Sequence, residues 1–316
     1  MKILYAGSPE AACETLKILF EKQTEYGFEI AGVLSNPPSA KGRHKDLIPT
    51  PVAAFAMEKG LPVFTPEHLD SAAREEILPL GADLLVCFAY GHIFGPKFLA
   101  MFPYGGINLH PSLLPKYRGC TPVNAAILNR DKETAVTIQT LGLKMDEGNI
   151  LAQTVVPLNG TETGESLLNY AAVTGADLIC KLLGQTAENG KLPEGNPQSG
   201  DPSYTGIITK EDGKINWKEP AEVIEAKIRA YYPEPGCWCM EKGLPLRILS
   251  AKLSAASGYD NEPEGKVLDF VKAEGILIKT GAGILAVTQL QRQGKKAMMY
   301  KDFMNGARDF VGTVLE

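Results

Sequence analysis

The chain opens on a compact run over residues 1–6, apolar apart from Lys2 and closed by Gly7-Ser8-Pro9. A helical spacing follows, with Ala11, Ala12, Leu16, Leu19 and Phe20 recurring on one face. A second apolar run covers residues 29–35, and residues 84–88 (LLVCF) and 106–109 (GINL) repeat the type. Short runs that are apolar throughout, rather than alternating, fit strands covered on both faces. A helix between the first two is the connection that parallel strands require. The pattern therefore predicts an α/β domain with a mostly parallel, Rossmann-like sheet.

Past residue 205 the pattern changes. A helix over residues 221–231 precedes β-like segments at 245–253, 265–270, 275–280 and 283–290, punctuated by Gly and Pro. Short strands so punctuated predict a small antiparallel, OB-like β-barrel. Residues 184–203, GQTAENGKLPEGNPQSGDPS, are polar and rich in Gly, Pro, Asn and Gln, and read as a tether. The expected organisation is an α/β domain over 1–190 that carries the chemistry, a linker over 191–205 and a barrel over 206–316. A length of 316 residues suits two domains at about 150 residues each.

Composition narrows the class. Hydrophobic residues at 44% and charged residues at 22% describe a folded chain rather than a disordered one. The net charge of −5 shows no global basic character, so any nucleic-acid contact must be local. There are 16 basic and 22 acidic residues up to position 205, but 16 and 15 beyond it, which suggests different tasks for the two parts. The six cysteines match neither a redox pair nor zinc spacing, and are expected to be reduced and structural, with Cys120 in a packing role. The amino terminus lacks a signal-peptide core, and no stretch reaches the ~18 apolar residues of a membrane span, so a cytoplasmic protein without membrane contact, and a monomer, is expected.

The first strand–helix turn carries one glycine, Gly7, before Ser8 and Pro9, so the GxGxxG of a dinucleotide site is absent. The informative stretch is residues 106–151. Asn108 and His110 stand at i and i+2 at the end of a strand and share one face, and Pro111 ends the strand. Asp146 follows another extended run at 135–140. An amide, an imidazole and a carboxylate with no Ser or Cys nucleophile beside them suggest acyl transfer in which the substrate supplies the nucleophile. Asn108 and His110 would then hold an oxyanion, and Asp146 would orient the imidazole and help accept a proton. On spacing alone, a reading of the three as turn and capping residues is the stronger one.

The text around them is more specific. Residues 108–119, NLHPSLLPKYRG, with MDEG at 145–148 and FAYG at 88–91, closely resemble the formyltetrahydrofolate-dependent formyltransferases. The resemblance implies that Asn108, His110 and Asp146 are the catalytic trio and that 10-formyltetrahydrofolate is the formyl donor, with no metal. It also implies that Ser112, Leu113, Leu114 and Pro115 bind folate, and that Phe88, Ala89, Tyr90 and Gly91 wall the pterin pocket together with the 141–146 loop.

Within that family the likeness runs furthest with members whose acceptor is methionyl initiator tRNA. It takes in ILYAGSPEAA at the start, LIPTPV at 47–52, KGLPVFTPEHL at 59–69, YTGIITKEDGKINW at 204–217 and LQRQGKKAM at 290–298. It implies that the loop carrying Lys41, Arg43, His44 and Lys45 meets the acceptor end, with Arg43 most directly involved. Arg292, Lys295 and Lys296 would guide the acceptor arm. Two departures stand out: MDEGN replaces the usual LDTGD, putting Glu147 where a small hydroxyl residue is common and Asn149 in place of an acid, and Cys120-Thr121 precedes Pro122. A small-amine formyltransferase and a binding module with a decayed site are the rival readings.

Overall fold

The structure is a computed structural model that describes residues 1–41, 46–307 and 309–316, without the Lys41 side chain. Two compact units emerge. The first comprises Met1–Pro122, Glu133–Pro157 and Leu168–Gly206, and the second Val123–Lys132, Leu158–Leu167 and Ile207–Glu316.

The first unit carries strands β1 (Lys2–Gly7), β2 (Glu29–Leu34), the short β3 (Ser39–Lys41) and β4 (Asp46–Ile48), β5 (Val63–Phe64), β6 (Leu84–Phe88), β7 (Gly106–His110), β8 (Arg118–Gly119), β9 (Glu133–Thr140), β10 (Ile150–Pro157) and β11 (Tyr204–Thr205). Seven of them form one sheet in the order β10-β9-β7-β6-β1-β2-β5. The five from β7 to β5 are parallel, while β9 runs antiparallel to β7 and β10 antiparallel to β9. The strand order reverses direction at β1, which lies between β2 and β6. Such a switch point opens a crevice at the carboxyl ends of the strands. Ser8, Ala89 and Pro111 follow directly on β1, β6 and β7 and so stand at that edge.

One sheet face buries Leu4, Ala6, Leu34, Leu85 and Cys87 against Phe94, Phe98 and Phe102. Tyr90, Phe94, Phe98 and Phe102 follow at intervals of four, and successive ring centroids lie 5.5, 5.4 and 5.7 Å apart. Helices α1 (Glu10–Lys22) and α2 (Gly164–Asn189) are tied together where Thr15 Oγ1 donates to the Ala172 carbonyl at 3.0 Å. Gly175 lets α2 lie directly on β7, since a Cβ there would fall 2.0 Å from Leu109 Cδ1. Leu109 thus points at the helix, and pleating turns its neighbours Asn108 and His110 to the opposite face.

Two sequence expectations change here. Helix α2 runs to Asn189, into the segment read as a tether, and by length and composition it could cross a membrane, although no apolar run of that length was expected. Its residues Ala171, Ala172, Ala176, Ile179, Cys180 and Leu183 are buried, so the apolar stripe covers the sheet. Residues 191–205, expected as a linker, are bound along the first unit. Asn196 exchanges two backbone bonds with Ile150, and β11 pairs in parallel with β8. Their polar composition reflects backbone and side-chain hydrogen bonding and not freedom from structure.

The second unit holds the antiparallel strands β12 (Cys237–Glu241), β13 (Leu244–Ser254), β14 (Val267–Val271), β15 (Gly275–Lys279), β16 (Ile284–Arg292) and β17 (Met298–Met299). Their order is β12-β13-β16-β15-β14, with β17 on β16. Four match expected segments within a few residues. Strand β12 does not appear in the sequence reading, although Cys237, Cys239 and Glu241 alternate inward with period two. Burial pushes the Cys237 thiol up to about 12, which suits an inert core residue. Cys120, expected to pack, is exposed.

Candidate active site

Strand β9 brings the site together. It lies beside β7 with Asn108 opposite Gln139 and His110 opposite Thr137, so the loop leaving β9 returns Asp146 to the end of β7. Asn108 Nδ2 stands 3.5 Å from Asp146 Oδ1, and His110 Nδ1 stands 3.6 Å from the same oxygen. Asp146 is further held by two shorter bonds, with Gln139 Nε2 donating to Oδ1 at 2.8 Å and the Gly119 N–H donating to Oδ2 at 2.8 Å. Residues 38 apart in sequence therefore meet through one antiparallel register.

His110 is buried, and its Nε2–H donates to the Tyr117 carbonyl at 2.9 Å. Burial lowers its pKa below the ordinary value, outweighing the Asp146 carboxylate and the Tyr117 carbonyl, which both raise it. The resting imidazole is then neutral with its proton on Nε2, and Nδ1 presents a lone pair towards Asp146. A proton arriving at Nδ1 would sit beside a carboxylate. The ring can accept one proton and, once charged, donate from Nδ1.

The loop is held from behind. Asp146 adopts φ +52°, as do Tyr117 at +59° and Ala89 at +51°, in the left-handed region that non-glycine residues rarely occupy. Gln198 Nε2 donates to the Asp146 carbonyl at 2.7 Å and to the Gly148 carbonyl at 2.9 Å. Its Oε1 accepts from Arg118 Nη2 at 2.8 Å and Nε at 3.2 Å. Arg118, itself buried, also reaches Glu147 at 3.1 Å and the Tyr204 hydroxyl at 3.0 Å. Glu147, the departure in MDEGN, thus meets a cation, and Asn149 Nδ2 donates to the Glu194 carbonyl at 3.0 Å. Gln139, Arg118 and Gln198 had no role in the sequence reading. Gln139 becomes visible once β9 is registered on β7, whereas nothing in the composition of 191–205 singles out Gln198.

The expected folate residues divide. Phe88, Tyr90, Ser112 and Leu114 are buried, and the Ser112 hydroxyl donates to the Lys116 carbonyl at 2.6 Å. Leu113 is half-buried, Pro115 is buried, and Ala89 and Gly91 are exposed, so this edge offers mainly backbone groups. Exposed apolar side chains instead come from Ile93, Leu143 and Met145. Among the expected RNA contacts, Lys295 and Lys296 are exposed. Arg292 pairs with Glu241, with Nε at 2.7 Å from Oε2, and stacks over Phe303 at 4.5 Å, so its charge is largely matched already. Arg43, His44, Lys45 and the Lys41 side chain lie outside the described residues.

The comparisons now decide the family. The formyl transferase model matches residues 1–182, and the formyl transferase C-terminal domain model matches residues 207–308. The chain belongs to the formyl transferase family. A curated relative, methionyl-tRNA formyltransferase of Treponema denticola, is 44% identical over 98% of this chain and 98% of its own. In fold, the chain is similar to the N-formyltransferase of Helicobacter canadensis crystallised with folinic acid and dTDP-3-aminofucose. That match has a TM-score of 0.64 at 22% identity, over 91% of this chain and 99% of that one. HypX of Aquifex aeolicus gives a TM-score of 0.64 at 15% identity, and this chain spans 50% of it. The formyl transferase is thus an enzyme whose α/β and antiparallel parts both follow the family.

Proposed function

We propose that this formyl transferase moves the formyl group of 10-formyltetrahydrofolate to the free α-amino group of methionyl initiator tRNA, giving N-formylmethionyl-tRNA. The observation that carries the chemistry is the meeting of Asn108, His110 and Asp146 at the carboxyl edge of the sheet. The full-length likeness to a methionyl-tRNA formyltransferase supports the acceptor.

The amine nitrogen forms a bond to the formyl carbon as the carbonyl electron pair moves onto oxygen. Asn108 donates to that oxygen from Nδ2, which is held only loosely by Asp146 at 3.5 Å. His110 donates from Nδ1 once it has taken the proton that the amine sheds, and a well-placed donor of this kind is worth about 3–4 kcal/mol. Asp146 helps draw that proton off the amine, directly or through water, and as a carboxylate stabilises the imidazolium. The oxygen's electron pair then re-forms the carbonyl as the bond from the formyl carbon to N10 breaks, N10 takes the proton from His110 and tetrahydrofolate leaves. Ile93, Leu143 and Met145 supply apolar cover for the flat ring system, and residues 88–91 and 112–115 supply backbone groups for its polar edge. The 41–45 loop with Lys295 and Lys296 takes the RNA backbone.

The test is formylation by purified protein with 10-formyltetrahydrofolate, offering methionyl initiator tRNA, methionyl elongator tRNA and a sugar-nucleotide amine in parallel. Transfer to the initiator is expected. Transfer only to the small amine would keep the mechanism and overturn the acceptor, and no transfer to any of them would point to a decayed site.

A further inference from the structure

We infer that Gln198, in the polar strap behind the site, is a positioning residue that holds Asp146 in its working orientation. This rests on the catalytic reading of Asp146 given above. The argument begins with the backbone. Asp146 stands at φ +52°, a conformation that costs about 1–3 kcal/mol and persists only where the surroundings enforce it. The orientation of its peptide plane is fixed by what its carbonyl bonds to, and that partner is Gln198 Nε2 at 2.7 Å. The same nitrogen takes the Gly148 carbonyl at 2.9 Å, so one side-chain amide gathers both ends of the turn.

The amide is itself anchored. Gln198 Oε1 receives two N–H groups of the buried Arg118, and the next residue, Gly119, is the one whose N–H holds Asp146 Oδ2. Arg118 and Gly119 form β8, which is fixed by pairing with β11, and the Arg118 N–H donates to the Ser203 carbonyl at 2.9 Å. Asp146 is therefore held from two directions, its main-chain carbonyl by Gln198 of the strap and its Oδ2 by the Gly119 N–H of the β8 strand that the strap pairs with. Gln198 Nε2 also reaches Gln139 Oε1 at 3.3 Å, so the orientation of donor and acceptor is dictated by carbonyl oxygens on one side and a guanidinium on the other.

Gln198→Ala removes both halves of the clamp. Gln198→Glu keeps an acceptor for Arg118 but cannot donate to the two carbonyls. Both variants should lose kcat by about tenfold to a hundredfold, the scale of a small misplacement of a reacting group, with KM for both substrates nearly unchanged. Gln198→Glu, which keeps the Arg118 anchor, guards against a simple folding defect. The decisive readout is a cycle with Asp146→Asn. If Gln198 acts through Asp146, then Gln198→Ala adds little to the loss already caused by Asp146→Asn. A multiplicative loss in the double variant, or wild-type kcat in both Gln198 variants, overturns the proposal while leaving the catalytic reading of Asp146 intact. Wild-type turnover in Asp146→Asn alone would instead overturn that underlying reading.

Discussion

Asp146→Asn separates the electrostatic and structural tasks of one carboxylate. The groups that hydrogen-bond to its carboxylate oxygens are all donors: Gln139 Nε2 at 2.8 Å, the Gly119 N–H at 2.8 Å and, more loosely, Asn108 Nδ2 at 3.5 Å. An asparagine has one acceptor oxygen, so either amide orientation sets its NH2 against a donor, which costs stability by about 1–3 kcal/mol. The charge matters more for turnover. A carboxylate 3.6 Å from His110 Nδ1 stabilises an imidazolium by about 5 kcal/mol at an effective dielectric constant near 20. Both side chains are well shielded, 5% and 14% exposed, so solvent screens little of this. If the transition state carries that imidazolium, kcat should fall by about three orders of magnitude, since each 1.36 kcal/mol is tenfold. KM should stay near its wild-type value, because the side chains proposed to cover folate and to meet the RNA are untouched. Single-turnover formylation measures the loss and thermal unfolding measures the stability cost. The His110 titration, followed by NMR, should also move further down, because Asp146 is one of the two groups raising it. A variant that melts lower but keeps kcat within about threefold would show that no charged imidazolium forms in the rate-limiting step.

Three further outcomes are expected. The folded-state pKa of His110 lies below its unfolded value, so the unfolded chain binds the extra proton first. Its contribution to stability is complete above about pH 6.5 and declines as pH falls towards the lowered folded value, and a His110→Asn variant should show a shallower loss of Tm over that range. Gly148→Ala should abolish turnover, because a Cβ there would fall 1.7 Å from the Thr140 carbonyl oxygen and force the Asp146 loop off β9. A variant with wild-type kcat would show that the loop tolerates displacement. Formylation at subsaturating tRNA should weaken steeply as salt rises, with log(kcat/KM) linear in log[salt], whereas the KM for folate should barely move. A flat profile would count against phosphate contacts by the basic loops.

Asn108 and His110 were legible in the sequence because they sit in contiguous text at the end of a strand, and Asp146 because it stands in the separate MDEG segment. Asn108 and His110 share a face by pleating alone, and the apolar runs 1–6, 29–35, 84–88 and 106–109 marked four of the five parallel strands, the two-residue β5 being too short to show. What joins Asp146 to them was not legible. It depends on β9 turning antiparallel beside β7, a choice of direction that an apolar run does not encode. The second unit follows the same logic. Its strands announced themselves between Gly and Pro, except the two-residue β17 and β12, whose two cysteines drew attention to thiol chemistry and away from their alternation.

The strap at 191–205 shows the physical limit most clearly. Composition can say that a segment buries little apolar surface, and from that alone a flexible tether is the natural reading. Order in this segment comes from hydrogen bonds instead: Asn196 to Ile150, Gln198 to three backbone or side-chain partners around Asp146, and the Ser203 hydroxyl accepting from the Tyr117 N–H at 2.9 Å. Such bonds pair specific atoms across long separations, so they have no period and no composition. A substitution that keeps the strap polar, such as Gln198→Glu, would register in the composition only as one added charge while removing the donors on which the orientation of Asp146 depends.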